Sequence, residues 1–127
     1  MILRRKGNVS VHGSVLLKHV TYGVARINEE TNAWLESGGR EPAFLTASAP
    51  SVWTSLYSQD PTAAACATLE DALTALGAKR MVVGQTVQDA GIVSACGGKA
   101  WLIDVGMVFG SKPEALEIIG DDVHVLR

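Results

Sequence analysis

The passage from Leu69 to Gly84 restricts the fold more than any other. Leu69, Ala72, Leu73 and Leu76 recur at helical spacing and form one apolar face, and Gly77 is the natural stop for that helix. Lys79-Arg80-Met81-Val82-Val83-Gly84 follows and reads as a buried strand. A helix that passes directly into an apolar strand is a building unit of α/β folds. Thr68-Leu69-Glu70-Asp71 resembles a capping box with Asp in the usual Glu place, so the helix is expected to start there.

Other elements group around this unit. Val9 to His12 alternates and is β-branched, so it reads as a strand that Gly13-Ser14 ends. Thr21 is the expected cap of a helix whose buried stripe is Val20, Val24, Ile27, Thr31, Trp34 and Leu35, and Gly38-Gly39 stops it. Arg40 to Pro61 holds three prolines and reads as a long loop anchored by Phe44, Leu45, Trp53, Leu56 and Tyr57. Ala100 to Val105 reads as a strand, with Cys96-Gly97-Gly98 as the turn before it. Ala115–Ile119 and Val123–Leu126 flank Gly120-Asp121-Asp122, a hairpin signal. The order is strand, helix, long loop, helix, then several strands. It predicts one α/β domain over residues 1–127, with a mixed sheet and flanking helices.

Composition removes several function classes. The 127 residues carry a net charge of −2, with eleven Lys and Arg scattered along the chain, so no nucleic-acid partner is expected. The one basic cluster, Arg4-Arg5-Lys6, is too short to argue from. No apolar run approaches the ~18 residues of a membrane span, and Met1 to Lys6 has no apolar core after its charges. Cys66 and Cys96 read as two buried thiols of a reducing, intracellular compartment, cytoplasm or plastid.

Taken without relatives, the chain offers no catalytic set. His12 ends a strand beside glycine, where a side chain can project into a cleft. His19 reads as structural, and His124 falls on the exposed face of the last hairpin. No His-x-x-x-His, Cys-x-x-Cys, phosphate-binding glycine loop or Gly-x-Ser-x-Gly elbow occurs. Asp104, within an apolar strand, reads as a hydrogen-bonded structural carboxylate. Arg26, Arg40 and Arg80 read as solvated charges.

Val11-His12-Gly13, His19-Val20 and Tyr22-Gly23 together resemble a stretch of the bacterial-type, Shewanella-like phosphoprotein phosphatases, which are calcineurin-like metallophosphoesterases. The resemblance continues through Arg26-Ile27-Asn28, Trp34, Val52-Trp53 and Leu69-Glu70. It is strongest from Lys79-Arg80-Met81-Val82-Val83-Gly84 through Thr86-Val87-Gln88-Asp89-Ala90-Gly91-Ile92 and Ile103-Asp104-Val105-Gly106-Met107 to Pro113-Glu114-Ala115-Leu116-Glu117-Ile118. It implies part of a metallophosphoesterase β-sandwich, the C-terminal half of the domain. It also implies descent from enzymes that hydrolyse phosphate monoesters with two divalent metals (Mn, Fe, Zn or Mg), about 3.5–4 Å apart.

That family takes most of its ligands from Gly-Asp-x-His-Gly, Gly-Asp-x-x-Asp-Arg-Gly and Gly-Asn-His-Glu motifs, none of which occurs in this chain. Of the two ligands implied here, one position is His12 and the other is Gln85 in place of histidine. An amide is a poor substitute for imidazole. Ser55 stands where relatives carry a phosphate-contacting arginine, Ser14 and Leu17 replace a glycine and a proline, and Val93 and Val108 replace an Asn and a Ser. The resemblance therefore implies a degenerate, inactive portion of a serine/threonine phosphatase, with no catalytic residue and no cofactor expected for this chain. The alternatives are a non-enzymatic regulatory or protein-binding module, and a half-domain active only with an N-terminal half in trans. The expected partners are a second copy, a full-length relative or a phosphoprotein. Exposed apolar surface and unpaired strand edges are expected as well.

Overall fold

The computed structural model describes residues Met1–Arg127. A five-stranded mixed sheet forms its middle layer, in the order β1-β2-β3-β5-β4. These strands are β1 (Ile2–Arg5), β2 (Asn8–Val11), β3 (Arg80–Val83), β4 (Val93–Ala95) and β5 (Ala100–Leu102). The three middle strands are parallel, with Val11 opposite Val83 and Val83 opposite Leu102. The two outer strands run antiparallel to their neighbours. Between β2 and β3 the chain forms α1 (Leu17–Tyr22), α2 (Val24–Ser37), α3 (Ala43–Thr46) and α4 (Ala63–Leu76). The α/β class and the mixed sheet are as the sequence predicts.

Strand alternation decides which face takes the helices. Ile2, Val9, Val11, Met81, Val83, Ala100 and Leu102 share one face, and all join the buried core with Val15, Val24, Ile27, Tyr57, Leu69, Leu73 and Leu76. The other face carries Ser10, Arg80, Val82 and Trp101. A second, two-stranded sheet, β6 (Ala115–Ile119) with β7 (Asp122–Leu126), is tied to it by Arg80, whose Nη2 donates to the Asp121 carbonyl at 3.1 Å. The inward hairpin residues Leu116, Ile118, Val123 and Val125 are half-buried, and His124 is exposed as expected. No helix is long and apolar enough to cross a membrane.

Several local expectations are corrected. The first helix is two helices. Gly23 takes φ +106°, which breaks the ladder, and Thr21 lies inside α1, donating back to the Leu17 carbonyl at 3.0 Å. The second helix starts at Ala63, where Thr62 caps it by accepting from the Ala65 amide at 3.2 Å. Its alanine-rich first turn favours helix, so Thr68 lies within it. β1 and β4 were not anticipated. β1 reaches β2 through Lys6-Gly7, both at positive φ, the geometry of a two-residue hairpin. Of the predicted loop anchors, Tyr57 is fully buried, whereas Trp53 and Leu56 are exposed. Arg80 is buried rather than solvated. Cys66 and Cys96 are joined by a disulfide, so the reading of two free thiols fails.

The outer edge of β1 is covered at Ile2 by a side chain. The Asn28 amide accepts from the Ile2 N–H at 2.8 Å and donates to the Ile2 carbonyl at 2.7 Å.

Candidate functional site

Parallel strands in an α/β sheet gather functional groups beyond their carboxyl ends. The β2–β3 register therefore brings together two residues that lie far apart in sequence. His12 follows Val11 and Gly84 follows Val83, and the Gly84 N–H donates to the His12 carbonyl at 2.9 Å. The His12 ring lies beside Gly84, with Nδ1 only 3.8 Å from where a Gly84 Cβ would be. The ring is exposed. Gln85, the next residue, has φ +64°, a conformation that costs a non-glycine residue about 1–3 kcal/mol. Held so, its Nε2 donates to the Trp53 carbonyl at 3.2 Å, while its buried Oε1 has no partner.

The long loop forms the other wall. Ser14 donates from its backbone N–H to the Ser51 carbonyl at 3.0 Å. A Cβ on Gly13 would lie 2.6, 2.7 and 2.9 Å from the carbonyls of Ser51, Val52 and Thr54, so only glycine lets the loop close over this turn. Tyr57 anchors the loop by donating to the Val15 carbonyl at 3.3 Å, and burial pushes its hydroxyl up to about 12. Ser58 and Thr86 share a 2.9 Å hydrogen bond, and Gln88 Nε2 donates to the Ser58 carbonyl at 3.1 Å. The structure therefore places His12 and Gln85 on adjacent strand ends, with Gln85 tied to the Trp53–Ser55 segment. Ser55 itself is half-buried, and its carbonyl accepts from Ser58.

Apolar side chains fringe this end of the sheet. Val87 and Phe109 both pack near Gly106. Trp53, Met107, Val108 and Phe109 are 67%, 59%, 86% and 80% exposed. Glu114 closes the neighbouring loop: its Oε2 accepts from the Ile92 N–H at 2.7 Å, and its Oε1 pairs with Arg127 at 2.8 Å. Asp104 is half-buried and accepts from the Gly106 N–H at 2.9 Å, a structural role like the one expected.

Nothing at the strand ends forms a self-contained metal centre. No three His, Cys, Asp or Glu side chains converge anywhere in the chain. His12 is the lone imidazole, and the Gln85 amide turns its nitrogen to a carbonyl. His19, three residues into the next helix region, is spent on structure. Its Nδ1 accepts from the Leu16 N–H at 3.0 Å and its Nε2 donates to the Ala49 carbonyl at 3.1 Å. An apolar cavity of about 300 Å³ beside it is lined by Tyr22, Ile27, Ala43 and Phe44, together with Lys18, which donates to the Ser48 carbonyl.

No family model matches the chain. Among curated proteins it is similar to Shewanella-like protein phosphatase 2 of Arabidopsis thaliana, 44% identical over 122 residues, which cover 90% of this chain and 31% of that protein. Among solved structures it resembles a cold-active protein tyrosine phosphatase, with a TM-score of 0.71 at 17% identity over 91% of this chain and 36% of the other. The cold-active protein-tyrosine phosphatase of a psychrophilic Shewanella species gives 0.73 at 16% identity, over 91% of this chain and 37% of the other. At these identities the likeness shows the fold. The chain spans about a third of the length of each protein it matches.

Proposed function

From the phosphatase-family origin that the 44% identity supports, we propose that this chain corresponds to the C-terminal part of a metal-dependent protein phosphatase domain in which the phosphate site has decayed. A two-stranded sheet beside a five-stranded one, tied to it through Arg80 and Asp121, fits part of a metallophosphoesterase sandwich. The substrates of the parent family are phosphoproteins, and any phosphoprotein contact by this chain is by binding rather than hydrolysis.

One observation carries the reading. His12 and Gln85 occupy adjacent strand ends, as a pair of ligands would, yet Gln85 brings an amide in place of an imidazole, and that amide is engaged with the Trp53 carbonyl. An amide so engaged is a poor ligand for a divalent ion where the family places an imidazole. Ser55, where a bidentate arginine would clamp phosphate, offers one hydroxyl. A second reading, a half-site completed by another polypeptide, is favoured by the exposed apolar rim of Trp53, Met107, Val108 and Phe109.

The test is metal content and p-nitrophenyl phosphate turnover with added Mn²⁺, measured for the chain and for a Gln85→His, Ser55→Arg variant. The expected result is no stoichiometric metal and no turnover in the unmodified chain. Metal-dependent turnover by that chain would overturn the decayed-site reading.

A further inference from the structure

The end of the sheet opposite the candidate site gathers positive charge that the sequence keeps apart. Arg4, Arg5 and Lys6 lead into the β1–β2 turn, and parallel pairing sets β3 beside it, with Asn8 opposite Arg80. The Lys79 N–H donates to the Gly7 carbonyl at 2.7 Å, and Lys79 Cγ would lie 3.6 Å from a Cβ on Gly7. Five cationic side chains thus meet at one end of a chain whose net charge is −2.

Two cavities lie within this cluster and share Lys6 and Asn8. One, of about 300 Å³, is lined by Arg4, Arg5, Lys6, Asn8 and Gly77. The other, of about 220 Å³, is lined by Lys6, Asn8, Lys79, Ile118 and Asp121. Only part of the charge is neutralised within the chain. Lys79 bonds the Asp121 carboxylate, Arg80 lies 3.8 Å from it, and Arg4 donates to the Leu76 carbonyl. Arg5 and Lys6 are exposed and form no ion pair, and Arg80 Nη1 is buried without a partner. The Asp121 carboxylate, held in its charged form by Lys79, already shows how an acidic side chain seats against this surface.

We propose that this basic end, Arg5, Lys6 and Lys79 foremost, is a docking surface for an acidic protein segment, whose carboxylates enter the two cavities and compete with Asp121. No aromatic side chain lines either cavity, so the stacking platform that single-stranded nucleic acid uses is absent. The exposed Asp121 and Asp122 project from the neighbouring turn and would oppose a flat anionic bilayer. A flexible acidic strand can place its charges between them. This surface is independent of the phosphate site and of any activity there.

The experiment is fluorescence anisotropy with a labelled poly-glutamate peptide, a poly-glutamine peptide of the same length, and phosphatidylserine-containing vesicles in parallel. Poly-glutamate is expected to bind more weakly as salt rises. An Arg5→Gln, Lys6→Gln variant should weaken binding roughly three- to tenfold, the range that two exposed ion pairs supply. Asp121→Asn should tighten it by freeing Lys79, and Arg26→Gln, on α2, should leave it unchanged. No binding, equal binding of poly-glutamine, insensitivity to these variants, or charge-dependent binding to vesicles alone would each overturn the proposal.

Discussion

His19 shows how much one buried side chain can decide. Both ring nitrogens are used, Nδ1 as acceptor from Leu16 and Nε2 as donor to Ala49, and this fixes the neutral tautomer. Burial pushes its pKa below the ordinary 6.5, the Ala49 bond opposes that shift, and Lys18 adds to it. As pH falls through about 6.5 the unfolded chain takes up the proton first. Stability contributed by His19 is therefore complete above that value, declines below it, and levels once the folded ring is protonated too. Denaturant melts between neutral and mildly acidic pH should show this decline, and His19→Gln should flatten it. His19→Ala should cost about 1–3 kcal/mol by orphaning the Leu16 amide and Ala49 carbonyl. The sequence assigned His19 a structural role, but its partners lie in the proline-rich loop and no local pattern announces them. The same holds for the candidate site. His12, Gln85 and Ser55 could be marked from a resemblance. The carbonyl cradle around Gly13 and the Gln85–Trp53 bond are main-chain contacts across dozens of residues, which composition and periodicity do not encode.

Elements with long, regular apolar patterns were legible: β3 and the β6–β7 hairpin match their sequence signals closely, and α4 ends at Gly77 as its apolar face predicts, although it starts at Ala63 and not at Thr68. Those set by single residues were not. The α1–α2 break depends on the backbone of Gly23, β4 is three residues long, and the Lys6-Gly7 turn puts a lysine at φ +48°, a position no turn rule favours for it. The Cys66–Cys96 bond joins α4 to the turn between β4 and β5, a pairing that depends on tertiary placement. Their separation is 30 residues. Closing such a loop removes unfolded-state entropy equivalent to about 3–4 kcal/mol. A Cys66→Ala, Cys96→Ala variant should lose about that much stability in denaturant melts. The unmodified chain should lose the same amount in reductant, and the variant should not respond to reductant.

The whole molecule is two-sided, with an apolar fringe at the carboxyl ends of its parallel strands and a basic cluster at the other end. Exposed apolar surface of the first kind was expected from the sequence, and its most exposed members are Val108 and Phe109, with Trp53 and Met107 next. The native chain should bind 8-anilinonaphthalene-1-sulfonate, and a Val108→Ser, Phe109→Ser variant should bind less of it with an unchanged far-ultraviolet spectrum. Equal dye binding by both proteins would place the exposed surface elsewhere. Strand edges were also expected to lie open, and at β1 this is only half the case. Asn28 offers Ile2 one donor and one acceptor, the same pair that a peptide group of an added strand would offer. The side-chain amide acts as a single rung of a sixth strand that has no second rung, since it belongs to a helix and cannot propagate. A strand added at this position must displace two hydrogen bonds at Ile2 before it gains its own there, so pairing of copies along β1 is penalised at that rung and is left to Arg4 and to β4 on the opposite edge.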